Sequence, residues 1–164
     1  MGDIVTSCSV RVAGDKFDEA IIGKIKKDKN FVIGEKTAEQ IKITIGSAYA
    51  TDETMDICGR NLVTGLPSEV TVNGSEIHDA LSEHFQSIVD NIKIILERTP
   101  PEISADIYKS GVYITGGSSR IKDLGKFIYD QIGLRVNLCE EPESTVIIGL
   151  GSIIEDPQLA KLTL

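Results

Sequence analysis

Between Ile77 and Leu96 the apolar residues Ile77, Leu81, Phe85, Ile88, Ile92 and Leu96 recur at intervals of three and four. That stripe predicts one long amphipathic helix, with Ser75 placed to cap it and Pro100-Pro101 placed to end it. His84 lies at the edge of the stripe and His78 off it, so both read as boundary or surface residues rather than ligands. From Gly111 the period changes. An apolar Val112-Tyr113-Ile114 strand runs into the turn Thr115-Gly116-Gly117-Ser118-Ser119, followed by a helix through Leu124 and Ile128, a strand from Arg135 to Cys139 and a final helix. A β-α-β-α order of this kind predicts a sheet with helices packed on it.

The first half of the chain is organised differently. Ile4, Thr6, Cys8, Val10 and Val12 alternate with Val5, Ser7, Ser9 and Arg11, the pattern of a half-buried strand. Ala13-Gly14-Asp15 breaks it, and Phe17, Ala20, Ile21 and Ile25 then follow helical spacing. A second helix is signalled at Thr37, carries Ala38, Ile41, Ile45 and Ala48 on its buried face and is expected to end near Tyr49. Met55–Arg60 and Glu69–Val72, on either side of Thr64-Gly65-Leu66-Pro67, predict a small antiparallel hairpin. The expected organisation is one α/β domain with a helical and hairpin subdomain inserted into it.

Composition narrows the function classes. At 164 residues and 41% hydrophobic content the chain can bury one substantial core or two small ones. A net charge of −8 argues against a nucleic-acid partner, since a phosphate backbone needs clustered Lys and Arg. The basic group Lys24, Lys26, Lys27 and Lys29, broken by Asp28, reads as the solvated end of a helix or as a contact patch. Three widely spaced cysteines, Cys8, Cys58 and Cys139, fit a reducing cytoplasmic setting better than a disulfide framework. With two histidines and no ligand spacing, no metal site is expected. No stretch has the pattern of a signal peptide or of a membrane span of about eighteen apolar residues.

Three places could carry chemistry. Gly116-Gly117, after a strand and before a helix, would let a ligand approach the backbone, although the same turn also serves as a plain connection with Ser118-Ser119 as a cap. Glu39 and Lys42, three apart, share one helix face; they could hydrogen-bond ribose and base, or form a solvated ion pair. Gly14-Asp15 marks a third turn.

These segments together resemble the MreB family. The run Val10 to Ile22, the run Gly34 to Lys42 with Ile45-Gly46-Ser47-Ala48-Tyr49 behind it, Gly59-Arg60-Asn61-Leu62, Pro100-Pro101-Glu102 and Thr115-Gly116-Gly117 occur in the family's order across essentially the whole chain. The resemblance implies the second domain of an actin-like ATPase, a ribonuclease H-like α/β fold. Subdomain IIA would comprise residues 1–16 and 74–164, and an inserted subdomain IIB residues 17–73. It further implies an ATP or ADP site whose adenosine side is lined by Gly14, Glu35, Lys36, Thr37, Ala38, Glu39, Lys42, Gly116, Gly117, Ser118 and Ser119.

Ala13 stands where the family usually has the first glycine of a pair, and Ser118 where it often has a third glycine. Neither Asp-x-Gly-Thr nor Asp-x-Gly-Gly-Gly-Thr, the family's phosphate loops, occurs in the chain. Catalysis and the magnesium ion are therefore expected to belong to a missing first half, and the chain alone is expected to be inactive. The full-length protein would assemble into filaments that shape a rod-like cell, in the cytoplasm under the membrane, with membrane contact only through the missing half and other cell-shape proteins as further partners. Two other readings stay open. One is a non-catalytic actin-like interaction module; the other is half of a chaperone or sugar-kinase ATPase, against which Gly59-Arg60-Asn61-Leu62 counts.

Overall fold

A computed structural model describes residues 4–155. Its elements are α1 (Gly14–Lys29), β1 (Phe31–Val32), α2 (Glu35–Ile45), β2 (Thr54–Asn61), β3 (Pro67–Asn73), α3 (Gly74–Arg98), α4 (Pro101–Ser110), β4 (Val112–Ile114), a 3-10 turn (Gly117–Arg120), α5 (Leu124–Ile132), β5 (Val136–Leu138) and α6 (Thr145–Glu155). β1, β2 and β3 form an antiparallel sheet in that order, and β4 pairs with β5 in parallel.

The long helix forms where its stripe places it. Ile77, Leu81, Phe85 and Val89 are fully buried on α3, and Phe17 of α1 meets Phe85 edge-on with ring centroids 5.7 Å apart. Its cap is Asn73 rather than Ser75: the Asn73 side chain accepts from the Glu76 N–H at 2.9 Å and the Glu76 carboxylate accepts from the Asn73 N–H at 3.2 Å. The three-residue spacing of a capping box decides this, and leaves Ser75 inside the first turn. Pro100-Pro101 does end α3, but Pro101 also opens α4, because its fixed φ and missing N–H suit a first helical position.

The hairpin has the expected turn, with Thr54 opposite Asn73 at its open end and Arg60 opposite Pro67 at its closed end. β1 adds a short third strand, Phe31 opposite Asn61. α2 begins at Glu35 and stops at Ile45, before the Tyr49 expected from the apolar pattern. Gly46 turns the chain out of the helix, and Ala48 is buried by a different route, its N–H bonding the Lys122 carbonyl at 2.9 Å.

The alternating segment from Ile4 to Val12 is not a strand. It has no ladder partner among the described residues, and Ile4 is 84% exposed. Alternation reports which residues share a face; a strand also needs a partner for its backbone N–H and C=O groups, and none pairs with this segment among the described residues. The expected facing holds only at its end: Val10 and Val12 are half-buried along an apolar groove that also takes in Ile88 and Ile92 of α3 and Val112 of β4, whereas Ile4 and Cys8 on the same face are exposed.

β4, α5 and β5 make the expected parallel β-α-β unit, with Leu124 and Ile128 of α5 buried. One apolar core joins these to Phe17, Ile21 and Ile25 of α1, Ala38 and Ile41 of α2, and Ile57 and Val72 of the hairpin. No helix among the described residues is long and apolar enough to cross a membrane.

Candidate functional site

The first turn of α1, one face of α2 and the turn after β4 converge on a cavity of about 440 Å³. That volume falls in the range of small-molecule sites. Gly14, Glu39, Lys42, Gly117 and Ser118, drawn from three separate stretches of sequence, all line it.

Each wall follows from local structure. Glu39 and Lys42 face the same side of α2 because three residues make nearly one turn. Gly14 opens α1 beside them: a Cβ built there would lie 3.6 Å from Lys42 Nζ and 3.9 Å from Ser118 Oγ. The opposite wall, Gly117 and Ser118, is set up by Gly116, whose φ of +85° turns the chain sharply out of β4. The Gly116 N–H donates to the Pro142 carbonyl at 2.8 Å, as does the Thr115 hydroxyl, so the turn is pinned from behind. Ser119 is buried and its hydroxyl donates to the Gly116 carbonyl at 2.7 Å. This leaves Gly117 and Ser118 at the cavity, with no backbone acceptor for their N–H groups among the described residues.

The charges lining the cavity are arranged in two ways. Lys42 Nζ donates to both carboxylate oxygens of Asp18, at 2.8 and 3.0 Å, in a pair whose side chains are 11% and 14% exposed. Arg120 Nε lies 3.0 Å from Glu143 Oε1 at the solvent edge. Glu39 joins no ion pair among the described residues, which leaves its carboxylate available as an acceptor.

The remaining residues named from the sequence lie elsewhere. Glu35 and Lys36 are exposed and Thr37 half-buried at the start of α2, outside the cavity lining, and Ala38 is fully buried in the core. Gly116 and Ser119 support the turn from behind. Sequence reasoning missed Ile43, Arg120, Ile121 and Glu143, all of which line the cavity. Ile43 and Arg120 were legible as neighbours of Lys42 and Ser119. Glu143 carried no signal, since it arrives through the loop after β5.

Residues 1–162 match the profile of the family described as MreB/Mbl protein. The cell shape-determining protein Mbl of Bacillus subtilis (strain 168) is 44% identical over 158 residues, 95% of this chain and 47% of that protein. MreB of Escherichia coli (strain K12) is 40% identical over 157 residues, 94% of this chain and 45% of the relative. This chain thus spans about half the length of the curated relatives it matches.

Among solved structures, MreB5 of Spiroplasma citri bound to ADP superposes with a TM-score of 0.88 at 37% identity, covering 92% of this chain and 46% of that one. The MamK double helical filament superposes at 0.70 and 19% identity over 83% of this chain and 42% of its own, a likeness of fold alone. The architecture is accordingly the actin-like α/β fold. With a profile match over nearly its whole length and relatives at 40 to 44% identity, the chain belongs to the MreB/Mbl family.

Proposed function

We propose that this chain forms the adenosine side of an ATP or ADP site in a filament-forming protein that determines rod cell shape. The observation that carries the proposal is the convergence of Gly14, Glu39, Lys42, Gly117 and Ser118, far apart in sequence, on one cavity. Glu39 can accept from a ribose hydroxyl, the backbone at Gly117 and Ser118 can approach a flat base closely, and Ile43 and Ile121 supply apolar surface for it. The MreB5 structures bound to ADP and AMPPNP give the likeness its chemical direction.

The proposal keeps the division into residues 1–16 with 74–164 and an inserted 17–73, the cavity lying where α1 and α2 meet the turn after β4. Phosphate loops, magnesium and hydrolysis belong to sequence this chain does not contain, so the chain binds nucleotide without turning it over. A site with only one of its walls is expected to bind weakly. Titration calorimetry with ADP tests this: saturable binding that Glu39→Ala weakens is expected, and binding indifferent to that change contradicts the proposal.

A second reading, an interaction module, draws on α6. Val146, Ile147, Ile148, Leu150 and Ile154 are 53 to 84% exposed along a helix without a buried residue. Exposed apolar side chains in this number on one helix fit a contact surface. Concentration-dependent association that Ile147→Lys abolishes would favour it.

A further inference from the structure

Lys42 lines the cavity, and its ammonium is held on the α1 side of it. All three of its donors have acceptors on α1: the two oxygens of Asp18 at 2.8 and 3.0 Å, and the Gly14 carbonyl at a longer 3.4 Å. Asp18 lies just over one turn beyond Gly14 on α1, and its carboxylate is nearly as enclosed as the Lys42 side chain. The contact therefore joins two walls of the cavity, Gly14 on α1 and the Glu39–Lys42 face on α2, across 24 residues of sequence.

We propose that Asp18 is a positioning residue for the nucleotide site: it holds Lys42 against the start of α1 and so fixes the spacing between the Gly14 wall and the Glu39 wall. The inference rests on the nucleotide reading above but makes a separate physical claim. A lysine stem carries four flexible bonds, and without an enclosed bidentate acceptor its ammonium would swing into the cavity or out to solvent. With Asp18 in place the stem lies along the wall, and the cavity keeps the room that a ligand needs. The ion pair at the solvent edge, Arg120 with Glu143, is more than half exposed on both sides and lacks that rigidity.

The test has two arms on the 164-residue chain. In the first, an amine-acylating reagent is followed by mass spectrometry, with the exposed Lys36 as internal reference. Asp18→Asn is expected to raise Lys42 acylation roughly tenfold by releasing the side-chain nitrogen from its carboxylate partner, and Asp18→Glu to keep it near the parent rate. An unchanged rate in Asp18→Asn overturns the inference whatever the nucleotide does.

The second arm is a double-mutant cycle on ADP affinity with Asp18→Asn and Lys42→Met, thermal melts confirming that each variant is folded. Asp18→Asn is expected to weaken binding several-fold in the parent and to have no further effect beside Lys42→Met, since a residue acting through another is non-additive with it. Additive losses overturn the positioning role. A parent chain that binds no ADP overturns the nucleotide reading and with it this role for Asp18, while the acylation arm still decides the clamp.

Discussion

Gly14 and Lys42 meet at the edge of the cavity, the Gly14 carbonyl 3.4 Å from Lys42 Nζ and a Gly14 Cβ position 3.6 Å from the same nitrogen. A methyl at Gly14 would make ordinary contact, whereas a longer side chain would enter the cavity. Gly14→Ala is therefore expected to change stability by no more than about 0.5 kcal/mol. Gly14→Leu is expected to fold and to lose nucleotide binding. Thermal melts and calorimetry on the pair check this, and equal ADP affinity in both variants would show that Gly14 is not a wall of the site.

Asn73 and Glu76 close the start of α3 reciprocally. Asn73→Ala is expected to cost about 1 kcal/mol, which in a chain of this size lowers Tm by roughly 2 to 4 °C. Ser75→Ala, at a position whose side chain is exposed inside the first turn, is expected to leave Tm unchanged. The comparison distinguishes the two candidate caps directly.

Gly46 ends α2 four residues after Lys42, and a Cβ there would sit 2.2 Å from the Lys42 carbonyl oxygen, a backbone atom. Gly46→Ala must therefore displace the last turn of α2, at a cost of roughly 2 to 4 kcal/mol. Denaturant unfolding measures it. Because the displaced turn carries Lys42, the acylation of that lysine is expected to rise as well.

Much of the fold was legible because strong local signals agreed with the tertiary environment. α3, the hairpin and the β4–α5–β5 unit each combine a clear period with turn chemistry. The failures have physical causes. Alternation in Ile4 to Val12 could not supply a strand partner, and without one Ile4 and Cys8 stay exposed. Pro101 signals the end of one helix and also starts the next, and β1 is too short to show a period. In the site, the residues read from local spacing, Glu39 with Lys42 and Gly117 with Ser118, reach the cavity. Glu143 and Asp18 were invisible because their roles depend on contacts across 23 to 24 residues or on a loop with no pattern of its own.

Tyr49 gives the fold a dependence on alkaline pH. Its hydroxyl donates to Asp130 at 2.5 Å, and that bond, followed by partial burial, raises its pKa from 10.0 to about 12. The folded state thus holds the proton more tightly than the unfolded chain. The stabilisation is fully present below pH 10 and is lost as pH rises through about 12. In an alkaline titration of tyrosinate absorbance, taken as the difference from Tyr49→Phe, Tyr49 is expected to ionise late, and Asp130→Asn to bring it back toward the ordinary value. An unchanged midpoint in Asp130→Asn would remove the hydrogen bond as the cause.

Whether three distant segments form one nucleotide-binding site is tested most directly by amide chemical-shift mapping with added ADP. The expected result is saturable shifts clustered at Gly14, Glu39, Lys42, Gly117 and Ser118, with little change along the apolar groove of Cys8, Val10 and Ile92. Shifts absent at saturating ADP, or confined to residues outside that cavity, would contradict it.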